Sequence, residues 1–141
     1  MSNTVTMDLV KTEAVIPAPD MLIVSPKGSV HADVIRVRTD QDGTLARGTL
    51  LMSAEKEGAK VFVPCTSAGL SEAGASFAVL ADNVTLKATE HADTAAYFEG
   101  DFNDAAVILP WVTDVSQHAA QVELAREPLR RNKIFLRNTH E

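Results

Sequence analysis

The chain holds a single cysteine, Cys65, so it cannot form an internal disulfide. The apolar neighbours Val61, Val63 and Ala68 suggest that Cys65 is a small buried hydrophobe, and no histidine or asparagine is tied to it by a nucleophile signature. No apolar run approaches the ~18 to 20 residues that cross a bilayer, and residues 1–12 lack the basic-then-apolar layout of a signal peptide. The expectation is a product that stays soluble in the cell that makes it and has no membrane partner. Positive charge is also short: 13 Lys and Arg against 19 Asp and Glu leave a net charge of −6. That balance repels polyanions and disfavours general nucleic-acid binding through phosphate contacts. There is no internal repeat, no low-complexity tract, and no βαβ alternation of the kind that builds a parallel nucleotide-binding sheet.

What is present is an ordinary globular composition, 45% hydrophobic and 23% charged, in 141 residues. This suits one domain plus a tail. Residues 1–28 read as an extended arm, because Pro17, Pro19 and Pro26 interrupt any regular element. The arm is not simply polar. Val15, Ile16, Met21, Leu22, Ile23 and Val24 would be exposed to water in a free tail, and such a segment wants a partner surface. The alternative reading makes residues 21–24 the first strand of the domain.

Residues 29–141 form the domain. Strand-like runs follow one another: 34–38, ending at the turn Asp40-Gln41-Asp42-Gly43; 48–52 and 61–63, a hairpin about Glu55-Lys56-Glu57-Gly58; and 77–80. Residues 84–89 alternate apolar and polar side chains, as a strand with one wet face does, and His91-Ala92-Asp93 closes them. Residues 94–99 and 105–109 are two further strands separated by a turn at 100–104. The one convincing helix starts at Asp114 as N-cap, sets Val115, Ala119 and Val122 on one face, and stops at Pro128. Residues 134–136 close the domain as a short apolar strand. The predicted fold class is therefore mainly β (α+β), a compact barrel-like domain with one C-terminal amphipathic helix.

Catalytic motifs are missing. Between Gly69 and Gly74 the glycine spacing resembles a phosphate loop, but Ala75 stands where a lysine is required. His31, His91, His118 and His140 form no ligand pair, and no serine sits in a Gly-x-Ser-x-Gly elbow. Asp82, Glu99, Asp101 and Asp104 fall in turn-rich segments where aspartate caps its own backbone. No catalytic residue, metal ligand or cofactor is expected. One charge feature remains: Arg126, Arg130, Arg131, Lys133 and Arg137 against Glu127 make residues 126–137 locally basic. They suit the negative end of a helix dipole and a solvated face, or else form a docking patch for an acidic protein surface.

An ordered series of segments carries a resemblance. It comprises Ala46-Arg47-Gly48-Thr49-Leu50-Leu51, Phe62-Val63-Pro64, Val79-Leu80-Ala81-Asp82-Asn83-Val84, and Ala95-Ala96-Tyr97-Phe98-Glu99-Gly100-Asp101-Phe102-Asn103. The apolar residues 105–109 and Asn132-Lys133-Ile134-Phe135-Leu136-Arg137 complete it. In order and spacing, over roughly two-thirds of the chain, this resembles the head decoration protein family of tailed bacteriophages. Asn132-Lys133 stands where the family has a glycine, and residues 1–45 match nothing in detail.

The resemblance implies a β-tulip domain without enzymatic activity that forms homotrimers. These would bind the outer surface of the expanded capsid in the virion, at local three-fold positions, and stabilise the lattice of major capsid protein. It implies that the helix or the residues before it lie near the three-fold axis, with Trp111 and Val112 in the trimer interface. The arm residues Val15, Ile16, Met21, Leu22, Ile23 and Val24 would then bind the capsid. A small non-enzymatic β-barrel that binds a peptide or ligand is the alternative.

Overall fold

Turn chemistry starts the fold. In the computed structural model, which describes residues 21–24 and 30–138, Glu57 and Gly58 both adopt positive φ, at 52° and 81°. They join β3 (Leu50–Lys56) to β4 (Ala59–Pro64) in the hairpin that the sequence predicts. The remaining strands are β1 (His31–Arg38), β2 (Gly43–Leu45), β5 (Phe77–Leu80), β6 (Val84–Leu86), β7 (His91–Asn103) and β8 (Ile134–Arg137). Six of them hydrogen-bond in the order β1-β4-β3-β5-β7-β8, and β1 also pairs with β7. That last pairing closes β1, β4, β3, β5 and β7 into a barrel. β2 and β6 form a separate two-stranded ribbon.

The central strands are apolar on both faces because each face enters a different core. Along β3 and β5, Leu50, Met52, Phe77 and Val79 join one cluster, while Leu51, Ala78 and Leu80 join the other. The first cluster is covered by the helix α1 (His118–Arg130) through Val122, Ala125 and Leu129, and by Ile134 and Leu136 of β8. The second is completed by Ile35, Val37, Phe62, Leu86 and Ala96. The protein is mainly β with one C-terminal helix, as the sequence predicts. Cys65 is buried in the first cluster.

Several local expectations are corrected. β7 is a single strand of 13 residues that runs through Gly100, where a turn was expected. Gly100 sits at φ 147°, which an alanine would resist, and the strand continues to pair with β8 beyond it. His91 opens β7 instead of closing the strand before it, and pairs with Arg38. Residues 105–109 are not a strand. They turn over the start of β3, held by one bridge between Thr49 and Ile108 and by Ile108 N–H donating to Gly48 O at 2.8 Å. A side chain at Gly48 (φ 98°) would stand 2.8 Å from the Ala106 carbonyl, so the crossing requires glycine. In the helix, Val115 and Ala119 are exposed, and the buried face is Val122, Ala125 and Leu129. Pro128 lies inside α1 and does not end it. The carbonyl that proline leaves unpaired belongs to Leu124, which is on the wet face, 65% exposed, where water can serve it.

Candidate docking surfaces

The apolar part of the expected arm divides at the edge of the described residues. Val15 and Ile16 lie outside them, whereas residues 21–24 pack on the barrel. Leu22 is 2% exposed and belongs to the first core cluster. Its carbonyl accepts from Asn103 N–H at 2.8 Å, Val24 N–H donates to Asp101 O at 3.0 Å, and Ile23 bridges Phe102. The segment thus lies antiparallel on the end of β7, which is the first-strand reading and not that of a free capsid-binding arm. Leu22 is buried and unavailable to a partner, so the core takes in a residue of the stretch 1–28. Among the described residues of this segment, Met21 is 58% exposed and Ile23 and Val24 are half-buried.

The basic stretch is neutralised from within. Arg126 donates from Nη2 to Asp104 Oδ2 at 3.0 Å and to Glu123 Oε2 at 2.8 Å, and from Nη1 to the Leu136 carbonyl. These partners hold the Arg126 guanidinium above its ordinary pKa, the Glu123 hydrogen bond most strongly, and Arg126 in turn holds the Glu123 carboxyl below its own. Arg130 and Arg131 both meet Glu127, at 3.2 and 3.7 Å, and Arg137 meets Asp101 at 3.3 Å. Four of the five cations therefore face four carboxylates, two of which, Asp101 and Asp104, come from the end of β7 and the turn after it. Lys133 alone among the five has no carboxylate partner among the described residues. It takes φ 64°, a glycine-like left-handed conformation, where the helix hands over to β8 through Lys133 N–H to Arg130 O at 3.0 Å. As a docking patch for an acidic surface, the stretch is much weaker than its sequence suggests.

The large apolar side chains exposed among the described residues are Met21, Val34, Ile108, Val115 and Leu124, and two of them, Ile108 and Val115, flank the segment between β7 and α1. Val107 and Leu109 point into the core, and Ile108 between them points out, 42% exposed. Asp114 accepts from Ser116 N–H at 3.0 Å and Ser116 Oγ–H at 2.9 Å, which lowers its carboxyl pKa and opens a single 3-10 turn at 115–117. That capped turn presents Val115 to solvent, 88% exposed. Ile108, Val112, Thr113, Val115 and His118 line an open groove of about 330 Å³ floored by Val107 and Leu109.

His118 Nε2 lies 2.8 Å from Asp104 O and fixes the helix start beside the groove. Val112 is half-buried at its wall. Trp111 is half-buried too, packs against the first core cluster, and donates from Nε1 to Gln121 Oε1 at 2.8 Å. Trp111 therefore serves the core of its own chain. The exposure of Ile108 and Val115 is not legible in the sequence, where Ile108 falls in a strand-like run and Val115 shares the helical spacing of Ala119 and Val122.

The segments that carry the resemblance meet in the barrel. Gly48 N–H donates to Leu80 O at 2.8 Å, Arg47 N–H to Asn83 Oδ1 at 2.8 Å, and Arg47 Nη1 to both Ala81 O and Tyr97 Oη at 2.7 Å. These hydrogen bonds tie barrel residues together, whereas Ala105 and residues 107–109 of the same series line the Ile108 groove. No family model matches the chain, and no curated protein matches it significantly. Among the described residues, no three His, Cys, Asp or Glu side chains are grouped as a metal site, and no helix is long and apolar enough to cross a membrane.

Proposed function

We propose that this protein is a capsid decoration protein of a tailed phage: a homotrimer that binds the outside of the expanded head at local three-fold sites and braces the major capsid protein lattice. The observation that carries the reading is the apolar rim Ile108, Val112 and Val115. A valine 88% exposed on a capped turn beside an open groove makes a surface suited to protein contact. Its position fits the resemblance, which sets the residues before the helix near the three-fold axis. Three copies held together make weak capsid contacts collectively strong, since each further contact is intramolecular once the first is made.

The experiment compares the full chain with Val115→Asp by sedimentation velocity, then by co-sedimentation with expanded capsids of the parent phage. The expected outcome is a trimer that binds capsids, and a variant of unchanged fold that sediments as a monomer and loses most capsid binding. A monomeric full chain, or a Val115→Asp trimer of undiminished stability, overturns the assignment of this surface. Trp111→Ala is a poorer test because the side chain also packs in its own protomer. A second reading, a β-barrel module that binds a peptide or small ligand, is favoured by one observation: an open pocket of about 570 Å³ beside the turn between β1 and β2.

A further inference from the structure

The groove between β7 and α1 is apolar and open, and the N-terminal segment joins the fold beside it. Val107 and Leu109 form its floor, Ile108 and Val115 its exposed rim, and His118 is the single titratable side chain lining it. Residues 21–24 run antiparallel to the end of β7: Ile23 bridges Phe102, and Leu22 O accepts from Asn103 N–H at 2.8 Å. Continued by one step, that register sets Met21 beside Asp104, whose carbonyl lies 2.8 Å from Nε2 of the groove residue His118. Ala105, the next residue, lines the groove itself. Residues 1–20 lie outside the described residues, and the point at which they enter the fold is therefore the edge of the groove.

We propose that Val15 and Ile16 seat in the groove of their own chain. Composition selects them. Residues 11–20 read Lys-Thr-Glu-Ala-Val-Ile-Pro-Ala-Pro-Asp, in which Val15 and Ile16 are the only branched aliphatic side chains. They match a cleft lined by apolar side chains, with no carboxylate and no lysine. Reach permits it. Ile16 stands five positions before Met21, and at ~3.3–3.6 Å per residue an extended chain covers roughly 17 Å over that span. Pro17 and Pro19 fix φ near the extended range and so limit the conformations that compete with such a path. The tether at residue 21 favours the chain's own segment over another copy's, because it keeps the effective concentration of Val15 and Ile16 at the groove high. Such seating holds equally for a monomer, so it does not rest on the trimer reading; in a trimer it adds the segment to the contact surface.

The test uses the full chain with pairs of introduced cysteines and oxidised glutathione as the oxidant. Ile16→Cys with Val115→Cys reports seating. Ile16→Cys with Leu124→Cys is the control, since Leu124 is 65% exposed on the wet face of α1 and does not line the groove. Cys65 is buried and stays out of the reaction. The Val115 pair should close an intrachain disulfide at least about tenfold faster than the control pair, because a seated segment holds the two thiols together and a merely tethered one does not. Adding Val15→Asp should slow that closure at least about fivefold, since a carboxylate finds no polar partner against Val107 and Leu109. Mass spectrometry of the unreduced protein separates intrachain from interchain bridges.

Equal rates for the two pairs, or a rate that Val15→Asp leaves unchanged, overturn the proposal. A bridge that forms only between chains overturns the own-chain occupant and gives the groove to a second copy. Val115 and Leu124 are both exposed side chains, so neither cysteine is placed in the core. Sedimentation velocity of the unmodified chain reads the oligomeric state separately, so a failure to seat leaves the trimer reading standing.

Discussion

Leu22→Ala is the sharpest probe of how the N-terminal segment is used. The side chain is 2% exposed within the larger core cluster, and its Cδ1 lies close enough to Gly48 that a methyl group there would be 3.6 Å away. Cutting a buried leucine to alanine costs about 2–5 kcal/mol, through lost transfer free energy and the cavity left behind. A truncation that starts at residue 28 loses this packing and also two backbone hydrogen bonds, Val24 to Asp101 and Asn103 to Leu22, each contributing about 0.5–1.5 kcal/mol net. Together these are roughly 3–8 kcal/mol, a large part of the 5–15 kcal/mol typical of a domain.

The assay is urea unfolding followed by circular dichroism. With a slope of roughly 2 kcal/mol per molar, Leu22→Ala should lower the midpoint by about 1–2.5 M, and the truncation should lower it further or fail to fold. Met21→Ala serves as the control: the neighbouring side chain is 58% exposed, and its loss should cost under about 0.5 kcal/mol. A Leu22→Ala midpoint equal to that of Met21→Ala would refute the docked segment and restore a free arm.

Four further outcomes follow from the same contacts. Cys65 should resist thiol reagents at pH 8 until the chain unfolds, because burial pushes its pKa up to about 12 from 9.0. The folded value lies above the unfolded one, so stability is full below pH 9 and falls between pH 9 and 12; alkaline unfolding of Cys65→Ala should show a shallower loss there. Arg126→Met should destabilise by about 1–3 kcal/mol, measured in urea, since it unties the helix from Leu136 and Asp104. Lys133→Gly should raise the urea midpoint or leave it unchanged, despite the loss of a cation, because it relieves a left-handed non-glycine residue at a cost of roughly 1 kcal/mol. Asp114 and Glu123 both have lowered pKa values, so their contribution is present above their ordinary values, 3.8 and 4.5, and is lost as pH falls below them. Thermal unfolding of Asp114→Asn should accordingly depend less on pH in that acid range than the parent does.

The sequence by itself determined what short-range chemistry controls. Glu57-Gly58 specified a hairpin, Asp114 specified where the helix region begins, and apolar runs such as 77–80 marked strands buried on both faces. Cys65 was legible as a small buried hydrophobe because its neighbours are apolar. Tertiary structure alone decided the rest. The barrel is closed by β1 against β7, residues 53 to 68 positions apart, and the pairing of β7 with β8 carries the strand through Gly100, where local propensity suggests a turn. The same long β7 offers its end to residues 22–24, which turns an apparent arm into core, and brings Asp101 and Asp104 to arginines far along the chain. Turn and cap preferences act over a few residues, so the sequence shows them directly. Closure, ion pairing and the exposure of Ile108 and Val115 depend on which distant surfaces meet, and only the folded backbone sets that.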